Sequence, residues 1–419
     1  HCVEPACAQG CPVDAYEKDA TTGIVRHLDD QCIGCQYCML KCPYDVPVYS
    51  HSKGIVRKCD MCHQRLSAGE APACVQGCPN KAIRIRVVEK AQIRAESETH
   101  PFLPGAPEPS YTLPTTNYKS ERVLPRNTLP ADYFSVQRAH GHLPLVVMLV
   151  LTQMSVGAFI IEHVMYSYFS VFSADVAAAI RPWHLCAALL LGMLGLTASI
   201  FHLGRPLYAY RALIGLGKSW LSREILAFSV FAAAATAYVA VAFIGGARQV
   251  GPATSQEVLG AAAALAGLAA VFCSVMIYVD TRRPLWTPFS TSAKFLLTGL
   301  VLGLPTTLLI SLATAAVTQE LTVPDILTGF GKNLCRLLLI AFGVKLLLEL
   351  SVFFHLPSTQ HTPKKRSALL LRGDLGMVTM RRFFFGVIGG VALPLLLLGE
   401  AVFSPAGYHP LFVGVVTML

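Results

Sequence analysis

Eleven of the fourteen cysteines stand within the first 78 residues, at spacings that suit iron–sulfur chemistry. Cys32-x2-Cys35-x2-Cys38-x3-Cys42-Pro43 is the bacterial ferredoxin run: three thiolates take one [4Fe–4S] cluster and the fourth, ahead of Pro, takes a neighbouring one. Cys59-x2-Cys62-x11-Cys74-x3-Cys78-Pro79 is a looser second version, and Cys2-x4-Cys7-x3-Cys11-Pro12 a third with its first member absent. A row of such clusters conducts electrons. Disulfides do not require Pro after the last Cys of each run. Zinc tolerates C-x2-C and the x11 gap, but not three such runs together. Eleven thiolates do not fill whole four-ligand clusters, and His1 begins inside a motif, so the expectation is that the native N-terminus is missing. Cys186, Cys273 and Cys335 sit in apolar runs and read as small buried hydrophobes.

The elements that carry these cysteines belong to a chain of two characters. Of its 419 residues 53% are hydrophobic and 14% charged, with mean hydropathy +0.52, against about 25% charged in soluble domains. Polar residues crowd the first 140 positions. The expected fold is an α+β ferredoxin-like iron–sulfur head joined to an all-α polytopic transmembrane helix bundle. Residues 1–92 form the head, with strand signals at Gly23–Leu28 and at Ala82–Val88, where apolar and basic residues alternate. A head so poor in apolar residues depends on its clusters to stay folded. Residues 93–139, rich in Pro, read as an extended linker lying over a surface. Residues 140–419 read as the membrane part.

Apolar segments near the roughly 20 residues needed to span fall at 143–167, 183–203, 222–245, 257–279, 292–317, 334–356 and 383–403, and an eighth begins near 410. Loops and helix ends after spans two, four and six hold Arg205, Arg211, Lys218, Arg223, Arg282, Arg283, Lys294, Lys364, Lys365, Arg366, Arg372, Arg381 and Arg382. Those after spans one, three and five hold Arg181, Arg248, Lys332 and Arg336. By the positive-inside rule the thirteen are cytoplasmic. The head is then expected on the opposite, periplasmic side of a bacterial inner membrane, exported already folded.

His1-Cys2…Pro5-Ala6-Cys7…Cys11-Pro12, Cys32-Ile33-Gly34-Cys35…Cys42-Pro43-Tyr44 and Lys58-Cys59-Asp60…Cys74…Cys78-Pro79 resemble the four-cluster electron-transfer subunit of molybdopterin oxidoreductases of the dimethyl-sulfoxide-reductase type. Phe201-His202-Leu203-Gly204-Arg205-Pro206, Leu221-Ser222-Arg223-Glu224-Ile225 and Arg283-Pro284 resemble the eight-helix membrane anchor of the same enzymes. Two subunits usually separate are fused here. The resemblance implies one cluster on Cys32, Cys35, Cys38 and Cys11. A second takes Cys2, Cys7 and Cys42, a third Cys59, Cys62 and Cys74, and a fourth Cys78, each with ligands upstream of His1. It implies transfer of electrons between membrane quinol, menaquinone or ubiquinone, and a molybdopterin-containing catalytic partner. The partners expected are that subunit, membrane lipid and the quinone pool, and no nucleic acid. Alternative readings are a quinone-reducing dehydrogenase subunit, a redox-driven ion-translocating protein, and a plain anchor.

Polar residues inside spans are functional candidates, and quinol oxidation needs groups that hold ring oxygens and accept two protons. His202 ends span two, at the position the resemblance ties to quinol; it also reads as an interfacial helix cap. Glu224 begins span three, either as its partner or as a neutraliser of Arg223 near a positive helix N-terminus. Gln153 in span one is a ring-oxygen donor or a helix–helix contact. By the expected orientation His202 and Glu224 face the cytoplasm, away from the clusters. His140, His142, Arg181 and His184 are expected together at the head's face, so the pocket is expected beside them, with His202 aiding protonation. Lys345 and Glu349, four apart, share a helix face as an ion pair or a proton path.

Overall fold

The computed structural model describes residues 1–99, 103, 105–125, 127–135, 141–168, 174–244, 253–318 and 322–403. His140 and the expected eighth helix lie outside them. The chain divides into two compact units. One is His1–Ser135 with Leu203–Arg223 and Met276–Trp286; the other is Val136–His202, Glu224–Val275 and Thr287–Leu419. Two loops from the apolar half of the sequence therefore fold with the head.

The head is built from short pieces, because few of its residues are apolar enough to sustain longer ones. They are α1 (Ala6–Gln9), β1 (Tyr16–Lys18), β2 (Val25–His27), α2 (Tyr37–Lys41), β3 (Val48–Ser50), β4 (Ile55–Arg57), α3 (His63–Ser67), α4 (Ala73–Gln76) and α5 (Lys90–Thr99). Two antiparallel hairpins pair Tyr16 with His27 and Tyr49 with Val56. The expected strand at 23–28 is β2. The one at 82–88 does not form: Ile83, Ile85 and Val87 are exposed on irregular chain. Alternation says which side chains would face a neighbour but supplies no neighbouring strand. The core gathers Cys7, Cys11, Cys32 and Cys38 with Val13, Ala15, Val25, Ile33, Ile55 and Val56, together with Ala212 from the first inserted loop. The Pro-rich stretch returns to the head's N-terminus, where Val3 N–H donates to the Leu113 carbonyl at 2.8 Å and Thr115 N–H to the His1 carbonyl at 2.9 Å.

The second unit is a helical membrane bundle: α6 (Leu143–Tyr168), α7 (Ala174–Ile200), α8 (Trp220–Ile244), α9 (Ala253–Val279), α10 (Pro288–Thr318), α11 (Val323–Ile326), α12 (Lys332–Leu350), α13 (Pro363–Arg372), α14 (Gly376–Val387) and α15 (Leu393–Phe403). Among the described residues seven stretches are long and apolar enough to cross a membrane. A helix closes its own backbone hydrogen bonds, which hydrocarbon demands. Association in lipid rests on close packing, and α6 meets α10 through glycine: a Cβ on Gly157 would collide with the Gly299 carbonyl and come within 3.0 Å of Gly303 Cα.

The helices α6 and α7 run antiparallel, since Thr152 lies by Gly195, Ser155 by Ala188 and Glu162 by Arg181. A chain that starts α6 on one side is thus back on that side after α7, and again after α9. The head and the basic loops 203–223 and 276–286 fold as one unit. The expectation that the basic loops and the head lie on opposite sides is therefore incorrect: an even number of crossings separates them, and they share one side.

Candidate functional site

Cys11, Cys32, Cys35 and Cys38 line one cavity, closed by Val13, Ala15, Tyr16, His27, Ile33 and Val56. These are the four thiols expected on a single cluster. Among the described residues no three His, Cys, Asp or Glu groups converge as ligands of one metal ion. The thiols surround a space instead, which fits a polynuclear cluster better than zinc. Burial pushes the Cys35 thiol up to about 12, with the neighbouring Cys11 adding to it. Such a thiol stays protonated unless a bound cation takes up the thiolate charge. Cys2, Cys7 and Cys42 also stand together; burial raises Cys2 and carries Cys7 to about 11, and the neighbouring thiols add to both shifts. The Lys58 ammonium opposes both shifts and also faces Cys59. Cys59 and Cys74 are exposed.

The loops around these thiols repeat a pattern. Gly34 N–H points to Cys32 Sγ at 3.4 Å and Met61 N–H to Cys59 Sγ at 3.4 Å, each two residues on. Ala15 N–H reaches Cys11 Sγ at 3.3 Å and Ala82 N–H reaches Cys78 Sγ at 3.2 Å, each four residues on and past a Cys-Pro pair. N–H groups aimed at sulfur are a lever on cluster potential. The tight C-x2-C turns need left-handed backbone: Gly34 has φ +71° and Gln36, just before α2, has φ 59°.

The inserted loops bond to the turns that carry these cysteines. A Cβ on Gly34 would come within 2.9 Å of Gly204 Cα, and one on Gly204 would strike the Gly54 carbonyl, so three backbones meet where only glycine fits. Arg205 N–H donates to the Ile33 carbonyl at 3.1 Å and its guanidinium to the Asp29 carbonyl at 2.8 Å. Further on, Gly215 N–H donates to the Pro12 carbonyl and Ser219 Oγ to the Gly10 carbonyl, both at 2.8 Å, while Lys218 pairs with Asp14. The second loop meets α2, the helix that carries Cys38. Tyr37 Oη donates to the Ile277 carbonyl at 3.2 Å, Arg283 donates to the Leu40 carbonyl at 3.2 Å, and buried Lys41 pairs with Asp280. Burial draws Lys41 down and the Asp280 carboxylate opposes it.

The sequence-expected quinone residues divide between the two ends of α6 and α7. His142 and His202 stand near one another at the end of the hairpin that continues into Leu203. His202 Nδ1 bonds the Ser199 carbonyl, so in the neutral ring Nε2 is left as an acceptor. Burial lowers the His202 pKa, with His142 adding to the effect and the Ser199 bond opposing it. Glu224 stands one turn into α8, is buried, and accepts from Ser274 Oγ of α9. Gln153 is buried deeper in α6, its Oε1 without a partner.

Arg181 and His184 lie at the opposite end, so the expected grouping with His142 is incorrect: α6, at about 1.5 Å per residue, separates them by a membrane thickness. Arg181 is also fully engaged. Its Nε donates to Glu162 at 2.7 Å, one terminal nitrogen to Gln256 at 2.7 Å and the other to Tyr238. Tyr238 Oη donates to Glu162 at 2.9 Å. The network ties α6, α7, α8 and α9 together, and removing one partner of a buried pair costs about 3–5 kcal/mol. His184 is buried, bonded to the Ala158 carbonyl, with Nε2 unpartnered.

The model of the DMSO reductase anchor subunit (DmsC) family matches residues 137–353, just over half of the chain. The chain belongs to that family. A 4Fe-4S dicluster domain matches residues 1–88, so the head is an iron–sulfur domain fused to its membrane anchor. The chain is 36% identical over 122 residues to the B subunit of the anaerobic dimethyl sulfoxide reductase of Haemophilus influenzae, covering 29% of this chain and 58% of that one. It is 40% identical over 139 residues to the hydrogenase-2 operon protein HybA of Escherichia coli O157:H7, covering 32% and 41%. It is 42% identical over 96 residues to a formate dehydrogenase iron–sulfur subunit of H. influenzae, covering 23% and 31%. The chain thus spans between 31% and 58% of the length of these relatives. No solved structure matches it.

The residues that sequence reasoning misses are Glu162 and Tyr238 in the membrane bundle, and Lys41 of the head with Asp280 of the second inserted loop. Glu162 carries a signal, a carboxylate deep in an apolar span, facing the first Arg of the next helix. Lys41 and Asp280 carry none, because their pairing joins segments 239 residues apart.

Proposed function

We propose that this chain is the electron-transfer and quinone-reactive membrane subunit of a respiratory molybdopterin oxidoreductase, set in the bacterial cytoplasmic membrane. It would carry electrons between quinol, menaquinone or ubiquinone, and a catalytic partner that bears the terminal substrate site. The observation that carries this reading is the seating of the loops after the second and fourth spans on the turns that hold Cys11, Cys32, Cys35 and Cys38. An anchor that only anchored would need no such closeness to one set of thiols.

Cys11, Cys32, Cys35 and Cys38 would hold one [4Fe–4S] cluster; Cys2, Cys7 and Cys42 a second; Cys59, Cys62 and Cys74 a third; and Cys78 would serve a fourth, with the remaining ligands supplied from outside these residues. When bound, these clusters accept and pass on one electron at a time. We place the quinol at the end of α7 and α8 nearest Leu203, with His202 and Glu224 as its partners and His142 beside them. His202 Nε2 would take one of the two protons that quinol gives up, and Glu224 would take the other. Arg181 and His184 are not part of this site.

The test is quinol-driven reduction of the clusters, followed by their electron-paramagnetic signal in purified protein with its partners. Replacing Glu224 by Gln or His202 by Ala should slow it about 100-fold, the scale of a lost general base, while dithionite still reduces every cluster. Unchanged quinol rates in both variants would remove the site from this end of the bundle.

A further inference from the structure

Glu349, in the last turn of α12, is approached by three cations from three helices. Arg382 of α14 donates to it at 2.9 Å, Lys345 of α12 stands at 3.5 Å and Lys294 of α10 at 3.9 Å. Lys345 Nζ also donates to Thr298 Oγ1 of α10 at 2.7 Å. Glu349 and Lys345 keep only 15% of their side-chain surface exposed, whereas Arg382 keeps 60%. One carboxylate neutralises one cation, so the cluster carries two positive charges in excess. They lie one to two turns inside the ends of α10, α12 and α14.

The chain on either side has the same sign. Residues 350–381, between Glu349 and Arg382, add five Lys or Arg against one carboxylate, Asp374. Apolar side chains flank the cluster: Leu347 is 71% exposed, Phe384 62% and Phe385 65%. A free anion has no use for those surfaces, while a lipid has acyl chains to lay on them. We propose that Lys294, Lys345 and Arg382 form a binding site for the headgroup of an anionic phospholipid, whose chains lie along α12 and α14. Glu349 then acts as a competitor: it holds the three cations together and lowers the charge that the lipid meets.

Loss of the Glu349 carboxylate separates two roles by sign. An ion-pair network that serves only to fasten helices is weakened by loss of its carboxylate. A lipid site is strengthened by it. The experiment is native mass spectrometry of the full chain with its partners, released from detergent after equilibration with equal amounts of phosphatidylglycerol and phosphatidylethanolamine. The wild type should retain phosphatidylglycerol selectively. Each juxtamembrane cation contributes about fivefold in affinity, so Arg382→Gln should cut that retention about fivefold and Glu349→Gln should raise it by about as much. Inorganic phosphate at the same concentration should not displace the lipid. Equal retention of the two lipids by the wild type would overturn the proposal, as would displacement by phosphate or a fall in retention in Glu349→Gln. Should that variant fail to fold, Arg382→Gln decides alone, since its side chain is largely exposed: retention unchanged from wild type refutes the site.

Discussion

At the scale of single residues the proposed chemistry turns on His202. The carbonyl of Ser199 fixes its tautomer, and burial disfavours its charged form. A histidine whose pKa lies below its ordinary 6.5 is a neutral base across neutral pH. The sign of the pH dependence follows. Quinol-driven cluster reduction should be flat from about pH 7 upward and fall as the pH drops through this lowered pKa, because protonated Nε2 can no longer accept. His202→Ala should abolish that acid limb along with most of the rate. A stopped-flow series between about pH 5 and 8 reads both. An acid limb kept unchanged in His202→Ala would assign the titration to another group, with Glu224 the first to examine.

At the scale of elements the sequence is legible where one segment carries its own signal. The seven spans follow from apolar length, and the grouping of Cys32, Cys35 and Cys38 follows from the ferredoxin spacing, because both patterns are local; Cys11, which lines the same cavity, belongs to another run and joined them only through the family resemblance. What pairs with what is not local. Ala82–Val88 alternates as a strand would, yet among the described residues it pairs with no strand, and Lys41 finds Asp280 only through the fold. The Leu203-Gly204-Arg205-Pro206 stretch illustrates both sides. Its composition marks a turn, but its role in seating a loop on Gly34 and Gly54 appears only in three dimensions. Gly204→Ala should therefore do harm out of proportion to one methyl group. The added Cβ meets backbone, which cannot rotate away, and overpacking of this kind costs about 1–3 kcal/mol. The expected result is slowed quinol-driven reduction of the Cys11–Cys38 cluster with unaltered iron content and unaltered dithionite reduction. Gly217→Ala, where a Cβ would meet open space, is the control and should behave as wild type.

At the scale of the whole molecule, sidedness depends on the charge count and on the parity of the crossings together. Thirteen basic residues do fall after even-numbered spans, but the head begins the chain and so shares their side. Four of the thirteen also have a reason that is independent of membrane insertion. Arg205, Arg211, Lys218 and Arg283 are held by carbonyl or carboxylate groups of the head at Asp29, Asp30, Asp14 and Leu40. The charge count thus records head docking as well as topology. The shared side can be measured directly. An epitope inserted at Gln360, in the loop after the sixth span, and protease cleavage within residues 105–125 should respond from the same face of sealed membranes. In spheroplasts either both are reached from outside or both are protected, and inverted vesicles should give the opposite pair. The two probes responding from opposite faces would mean an odd number of crossings between the head and residue 360, and one of the seven apolar helices would then not span.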